Sequence, residues 1–315
     1  MSHQQAWEKR IGRQRQWIWR GWPIRYTFLP AETDQETKRK PPLILLHGFG
    51  AAVEHWRQNI PTLRQQHRVY ALDLLGFGRS RKAATEYTAY LWAEQIYDFW
   101  QTFIGEPVIL VGNSIGSLVC LTVAFKYPEM VAGLAMISLP DVSLRQETIP
   151  KGLRPIVNTI EGLFAPPLLL KTLFNIIRRP GVIRPWVGVA YYDKSVITDE
   201  LVDMITVPPQ DQGSARAFCL LFEGLRKPNY APPVKTVLPH LTIPMLLIWG
   251  RQDRMVPVSL ASQFVKLNPK ITLKELDNAG HCPHDECPVR FNEILLEWTE
   301  TVSNLHFNGD KGFSS

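Results

Sequence analysis

The sequence predicts an α/β fold with a mostly parallel central sheet, helices on both faces of the sheet and a helical lid inserted after the sixth strand. Between residues 43 and 138, short apolar runs rich in Leu, Ile and Val alternate with longer helical stretches, as in strands joined by crossover helices. The alternation stops near Pro140 and resumes at residue 244. A chain of 315 residues can bury one large core and still carry such an insertion.

The predicted elements begin with a β-hairpin at 16–29, where apolar and polar residues alternate around Gly21. The charged segment 31–42 predicts an exposed loop. Core strands are expected at 43–47, 69–73, 107–112 and 133–138, with helices at 55–66, 87–104 and 115–127 between them. After the insertion, strands are expected at 244–250 and 271–276, and helices at 257–267 and 286–303. We therefore divide the chain into core 1–140, lid 141–240, core 241–303 and a flexible tail 304–315.

The composition argues against several classes of protein. The net charge is +6, but the basic residues are scattered, which argues against a nucleic-acid-binding protein. The N-terminus lacks the apolar core of a signal peptide, and glycines and polar residues interrupt the longest uncharged run, so no transmembrane span is expected. Four cysteines are too few for a disulfide framework and suit a reducing compartment. We expect a cytoplasmic protein.

Two apolar features are compatible with contact at a membrane surface. Four tryptophans lie near the N-terminus, where they would either pack in the hairpin or act as an interfacial anchor; they are Trp7, Trp17, Trp19 and Trp22. In the lid, one helical stripe would pack on the sheet or form an apolar tunnel or membrane-facing patch; it contains Leu169, Leu173, Ile176 and Ile177. The candidate substrate-binding residues of the lid are Leu169, Leu173, Phe174 and Ile177.

Three side chains with catalytic chemistry each follow a separate predicted strand: Ser114, Asp253 and His281. The carboxyl ends of parallel strands meet at one edge of a sheet, where ligands of α/β folds bind. A serine, an acid and a histidine placed there predict a nucleophile that an imidazole activates and a carboxylate orients. The alternative for Ser114 alone is the hydroxyl of a helix N-cap.

The residues around Ser114, "VGNSIGS", predict a sharp turn from a strand into a helix. Gly112 and Gly116 would keep side chains away from the turn. The amide of Ile115 would open the following helix, where backbone N–H groups favour negative charge. The amide of Phe49, in the loop after the first core strand, is the expected second donor. Together the two amides would form an oxyanion hole.

Other residues compete for the same roles. Asp141, at the end of the strand before the lid, is the alternative acid. His284 is the alternative base, but it stands at a predicted helix start, whereas catalysis needs a loop position that reaches the serine. His47 and Asp73 are expected to be structural.

The segment "HCPHDEC" at 281–287 is compatible with a zinc site because it contains two histidines and two cysteines. Its ligands would be crowded into one loop and lack paired C-x-x-C spacing. We expect no metal and no cofactor.

Five motifs in this order resemble the α/β-hydrolase superfamily: "HGFG" at 47–50, "DLLGFGRS" at 73–80, "GNSIG" at 112–116, "GRQD" at 250–253 and "GH" at 280–281. The resemblance covers about residues 16–303 and is interrupted by the lid. It implies a serine hydrolase in which Ser114 is the nucleophile, His281 the general base and then acid, and Asp253 the orienting acid. Ser117 stands where many members have a second glycine.

Within the superfamily, segments such as "LLHGFGAAVEHWRQNIPTL" and "AGHCPHDECP" resemble the plant and cyanobacterial branch of chlorophyll dephytylase and pheophytinase. That resemblance implies a carboxylic ester of a bulky apolar substrate, the phytyl ester of chlorophyll-type pigments, and a protein that could lie on a photosynthetic membrane. Two alternatives stay open. One is a carbon–carbon bond hydrolase of the ring-cleavage dienone type, which also often carries Asn before the serine. The other is a non-catalytic pigment-binding or assembly protein on the same fold.

Overall fold

The computed structural model describes residues 3–32, 40–141 and 167–309. Most of the predicted loop (33–39), the first part of the predicted lid (142–166) and the end of the predicted tail (310–315) lie outside the described residues. The described strands form one eight-stranded sheet, in the spatial order β1-β2-β4-β3-β5-β6-β7-β8. Their bounds are β1 Gln14–Trp19, β2 Trp22–Leu29, β3 Leu43–Leu46, β4 Val69–Leu72, β5 Val108–Asn113, β6 Val131–Ile137, β7 Met245–Gly250 and β8 Ile271–Leu276.

Only the N-terminal hairpin departs from parallel pairing in this sheet. Strand β1 pairs antiparallel with β2, and β2 pairs antiparallel with β4. All other neighbouring strands are parallel. Every residue of β3, β4, β5 and β7 is buried, since both faces of the sheet are covered, which is why these strands are continuous apolar runs. The predicted α/β fold with a mostly parallel sheet is confirmed.

Helices follow the strands in the order expected for crossover connections. In the first part of the chain they are α1 His3–Ile11, α2 Ile60–Leu63, α3 Ala89–Phe103 and α4 Ile115–Lys126. Between β6 and β7 they are α5 Pro167–Ile177, α6 Pro180–Ala190, α7 Asp199–Thr206, α8 Ser214–Leu225 and α9 Val234–Val237. After β7 they are α10 Ser259–Val265, α11 Pro283–Glu286 and α12 Pro288–Gly309. We call the described residues 167–240 the helical insert.

The helices depart from the prediction at three places. The helix expected at 55–66 is a 3₁₀ turn at Val53–Trp56 followed by the single turn α2, because Pro61 lacks an N–H and fits only the first turn of a helix. The N-terminal helix α1 was not predicted from its polar sequence; the buried Trp7 and Ile11, one turn apart, hold it to the core. Helix α12 extends to Gly309, so residues 304–309 of the predicted flexible tail are helical.

The N-terminal tryptophans pack within the protein. The Trp17 ring packs edge-on against Phe99, with 5.6 Å between the ring centroids. Trp19 is buried and donates its indole N–H to Asp98 at 2.7 Å. Trp7 is also buried. Of the two alternatives for these tryptophans, packing within the protein is the one observed for Trp17 and Trp19 of the hairpin and for Trp7 of α1. Among the described residues, no helix combines the length and the apolar character needed to cross a membrane.

A buried ion-pair network fixes the loops beneath the edge of the sheet where β3 and β4 end. The Arg25 guanidinium donates to Asp73 at 2.5 Å and to Glu54 at 2.5 Å, and all three side chains are buried. Asp73 also accepts the amides of Val53 and Arg79. Burial raises the pKa of the Asp73 carboxyl, but the charge and hydrogen bonds of Arg25 hold it below its usual value. Asp73 is therefore structural, as expected from the sequence.

We predict that Arg25→Met lowers the free energy of unfolding by about 3–5 kcal/mol, because it leaves two buried carboxylates without their cation. Arg251→Met is the matched control, since Arg251 pairs with Glu275 and Asp277 at the surface, where the loss of an exposed ion pair should leave the free energy of unfolding nearly unchanged. Urea unfolding at neutral pH measures both. Equal losses in the two variants would contradict the structural role assigned to the buried network.

Candidate active site

Ser114 lies at the apex of a strained turn between β5 and α4. Its φ of 54° and ψ of −117° belong to a region that non-glycine residues rarely adopt. The two glycines around it are required sterically. A Cβ on Gly112 would lie 2.5 Å from the amide nitrogen of Ser117, and one on Gly116 would lie 2.7 Å from the carbonyl oxygen of His47. The turn therefore forms only with glycine at both positions.

Two polar neighbours of the turn, which the sequence left unexplained, connect it to other elements. The Ser117 hydroxyl accepts the amide of Ile137 at 2.9 Å and lies within donating distance of the carbonyl oxygens of Gly112 and Ile137. Ser117 thus ties the start of α4 to β5 and β6, a contact that glycine could not make. The buried Asn113 donates its side-chain amide to the carbonyl oxygen of His281 at 3.0 Å. Asn113 therefore links the serine turn directly to the histidine loop.

His281 and Asp253 form a hydrogen-bonded pair shielded from solvent. Nδ1 of His281 lies 2.9 Å from Oδ2 of Asp253, in loops that follow β8 and β7. Oδ1 of Asp253 accepts the amides of Met255 at 2.8 Å and Val256 at 2.9 Å. Burial raises the pKa of the Asp253 carboxyl, but the hydrogen bond and charge of His281, together with these amides, bring it below the usual value. The carboxylate is therefore ionised and fixed in orientation.

The residues that compete for the roles of acid and base either bond other partners or lie elsewhere in the structure. Asp141 is buried beyond the end of β6, while Asp253 occupies Nδ1 of His281. His284 is fully buried, its ring 4.4 Å from that of Trp56, and burial holds its pKa well below the usual value. His47 accepts the amide of Leu74 through Nε2, and its Nδ1 lies 2.7 Å from the carbonyl oxygen of Gly48. His47 thus shapes the loop that carries Phe49.

The side chains of the segment 281–287 are directed to separate partners. His281 faces Asp253, Nε2 of His284 lies 3.2 Å from Nδ1 of His55, and Sγ of Cys287 donates to the carbonyl oxygen of Pro283. Within residues 3–32, 40–141 and 167–309, no group of three or more His, Cys, Asp and Glu side chains is placed to hold a metal ion.

A cavity of about 300 Å³ opens beside Ser114, and both Ser114 and His281 line it. Phe49 also lines it, and Ile115 is the first residue of α4, where helix geometry leaves the N–H without an intrahelical acceptor. Phe49 thus lines the cavity itself and Ile115 adjoins Ser114, while the oxyanion role of their amides stays a prediction. Its other lining is mostly apolar and comes largely from the helical insert, including Phe174, Ile183, Val187, Phe218 and Leu221.

Of the four lid residues expected to bind substrate, the structure brings two to the cavity. Phe174 and Ile177 line it, whereas Leu169 and Leu173 lie exposed on the outer side of α5. The expectation for Leu169 and Leu173 is corrected for a physical reason. Helix α5 is apolar on two faces one residue apart, so the helical period alone does not indicate which stripe points inward. The inward stripe contains Leu170, Phe174 and Ile177.

A buried hydrogen-bond chain that sequence reasoning missed joins the helical insert to the core beside this cavity. Nε2 of His55 lies 2.8 Å from the hydroxyl of Tyr191, which donates to Asp285 at 2.7 Å. Arg57 donates to the other oxygen of Asp285 at 2.6 Å. Burial lowers the pKa of His55 to about 4, so its imidazole is neutral at neutral pH. His55 and Tyr191 both line the cavity and place hydrogen-bonding groups in its wall.

The insert also contacts the loop of His281 directly. The amide of His281 donates to the carbonyl oxygen of Ala190, the last residue of α6, at 2.7 Å. The Glu286 carboxylate accepts the amides of Gly280 at 3.0 Å and Tyr192 at 3.0 Å, so it bridges the two segments. A Cβ on Gly280 would lie 2.9 Å from the amide nitrogen of Tyr192, which explains the glycine before the histidine. The position of His281 therefore depends on the insert.

Comparison with known proteins gives the following matches. A model of the alpha/beta hydrolase family matches residues 43–294. A 2-hydroxy-6-oxo-6-(2'-aminophenyl)hexa-2,4-dienoic acid hydrolase of Metapseudomonas resinovorans is 29% identical over 281 residues, 86% of this chain and 88% of that protein. The chloroplastic pheophytinase of Arabidopsis thaliana is 24% identical over 303 residues, 85% of this chain and 63% of that protein. The solved structure of a bacterial membrane phospholipase A is similar with a TM-score of 0.76 and 25% identity, covering 96% of this chain and 91% of that one.

We predict that Gly112→Ala lowers the free energy of unfolding by about 3 kcal/mol, because the added methyl group overlaps the backbone of α4. Gly181→Ala is the matched control: a Cβ there meets no atom within 4 Å, and its stability should stay within about 1 kcal/mol of the wild type. Urea unfolding compares the two. A Gly112→Ala protein as stable as Gly181→Ala would show that the close approach is not required.

We predict that Asp253→Asn lowers kcat/KM on an activated ester by about a thousandfold or more, because an amide would hold the imidazole of His281 in the wrong tautomer. Asp141→Asn should keep near-wild-type turnover. Steady-state kinetics on a p-nitrophenyl ester, with circular dichroism to verify folding, decides between the two acids. Near-wild-type turnover in Asp253→Asn would refute the assignment of Asp253.

Proposed function

We propose, from the premise that the chain belongs to the alpha/beta hydrolase family, that it is a serine hydrolase that cleaves a carboxylic ester of a bulky apolar substrate. One observation carries the proposal: a strained serine and a carboxylate-paired histidine line the same largely apolar cavity. Ester hydrolysis needs a nucleophile, a base and a shielded site that accepts the acyl or alcohol group.

In the proposed mechanism, Oγ of Ser114 attacks the ester carbonyl carbon while His281 takes the hydroxyl proton. Asp253 stabilises the imidazolium that forms. The amides of Phe49 and Ile115 stabilise the negative charge on the tetrahedral oxygen; losing one such donor typically costs about 3–4 kcal/mol in the transition state. The alcohol leaves with the proton from His281. A water molecule, deprotonated by His281, then releases the acid and restores the serine.

The proposed substrate is the phytyl ester of a chlorophyll-type pigment. The similarity to a pheophytinase supports it, and so does the apolar lining from the insert, which suits a long prenyl chain. A cavity of about 300 Å³ is at the lower end of the range for small-molecule pockets, so it would hold the ester and part of one arm while the rest of the pigment stays at the mouth. The lid at 141–240 would select the substrate. We further propose that the protein is cytoplasmic and that it does not bind nucleic acid.

A carbon–carbon bond hydrolase of the ring-cleavage type is the second candidate. It is supported by the similarity to the dienoic acid hydrolase of Metapseudomonas resinovorans and by polar groups in the cavity wall. Arg178 lines the cavity and could pair with a substrate carboxylate. The third candidate, a pigment-binding or assembly protein without catalysis, shares the fold and would leave the serine unused.

Product analysis separates the three candidates. Purified protein is incubated with chlorophyll, pheophytin, a p-nitrophenyl ester series and a ring-cleavage dienone acid, with Ser114→Ala as the control. We expect a free acid and phytol from the pigment esters, and a loss of about a millionfold, to background, in Ser114→Ala. Turnover of the dienone alone, with no alcohol product, would establish the second candidate. Full activity in Ser114→Ala would refute the mechanism, and pigment binding without turnover would establish the third candidate.

A further inference from the structure

The outer face of helix α5 exposes a continuous apolar stripe. Leu169, Leu173 and Ile176 are 51%, 43% and 45% exposed, and their spacing of four and three residues aligns them along one side of the helix. The adjacent side of α5, one residue further around the helix, carries Leu170 and Phe174, which are buried. The stripe is thus an additional apolar surface that the packing of the insert does not use.

The segment that carries this stripe is cationic. Residues 167–190, which form α5 and α6, contain Lys171, Arg178, Arg179 and Arg184 and no Asp or Glu. Arg184 pairs with Asp199 of α7. Arg179, which follows α5 directly, is exposed. An exposed apolar stripe on a segment of net positive charge matches an interface with apolar chains below and negative headgroups above.

The exposed face continues into the catalytic cavity. Trp186 of α6 is 60% exposed and also lines the cavity, so its ring lies at the mouth. The inner residues of α5, Phe174 and Ile177, line the same cavity from the other side of the helix. A tryptophan ring is amphipathic and is favoured at the level of lipid headgroups. An apolar molecule at this face could therefore enter the cavity without crossing bulk water.

We propose that the outer face of α5 and α6 docks on an anionic lipid membrane and takes the apolar substrate of the proposed hydrolase from it. The uptake of substrate rests on the proposed function. The docking itself can be measured independently of that function, because binding to a membrane needs no catalysis. A second copy of the chain fits the face less well. Two such faces would bring basic side chains against basic side chains, which disfavours association.

Vesicle flotation tests the proposal on the full-length protein. The vesicles are phosphatidylcholine alone or phosphatidylcholine with phosphatidylglycerol. We expect the wild type and Ser114→Ala to float equally with the anionic vesicles and weakly with the neutral ones, and added salt to reduce flotation. The double variant Leu173→Glu with Ile176→Glu should lose about tenfold or more of the bound fraction. The variant Arg179→Glu should lose about fivefold or more, because it reverses one charge near the surface.

Val289→Glu is the matched control, because Val289 is an exposed apolar residue of α12 outside the face, and it should float like the wild type. The patch variants and Val289→Glu should hydrolyse a soluble p-nitrophenyl ester at the wild-type rate, and circular dichroism verifies the folding of every variant, Ser114→Ala included. Undiminished flotation of both patch variants, or no flotation of the wild type, overturns the proposal. So does a dimer in analytical ultracentrifugation that only the patch variants dissociate. Flotation by a wild type that hydrolyses no ester would instead uphold docking and remove the proposed function.

Discussion

The contact on which the site depends is the close approach of α4 to the carboxyl ends of β3 and β5. It leaves no room for a Cβ at Gly112 or Gly116, and it forces Ser114 into a positive φ at the point where strand becomes helix. Such strain persists only where the surroundings enforce it. Here Ser117 bridges α4 to β5 and β6, and Asn113 bonds the carbonyl of His281. The residues beside Ser114 therefore stabilise the turn and align it with the histidine loop.

A second constraint couples the chemistry to the helical insert. The backbone of His281 bonds the end of α6, and Glu286 bridges the histidine loop and the segment after α6. The same insert supplies most of the apolar cavity wall and the exposed cationic face. The position of the imidazole, the shape of the cavity and the exposed apolar face at its mouth thus depend on one structural unit.

Much of this could be predicted because the signals are local. The strands are continuous apolar runs. The glycines around Ser114 are a local sign of a sharp turn, because they stand within two residues of the serine. The rest depends on contacts between distant residues. The chain from His55 through Tyr191 to Asp285 joins three separated segments, and no local pattern indicates that they meet. The period of α5 predicts an amphipathic helix but fits two stripes equally, so only packing shows that Phe174 points inward and Leu173 outward.

The most direct test of the central claim is labelling of the purified protein with a fluorophosphonate, followed by peptide mass spectrometry to locate the adduct. A serine presented on the strained turn and activated by His281 should give one adduct per chain, on Ser114. Labelling should disappear in Ser114→Ala and slow by about a thousandfold or more in His281→Gln. An adduct on another serine, or unchanged labelling without His281, would contradict the assignment of Ser114 as a nucleophile activated by the His281–Asp253 pair.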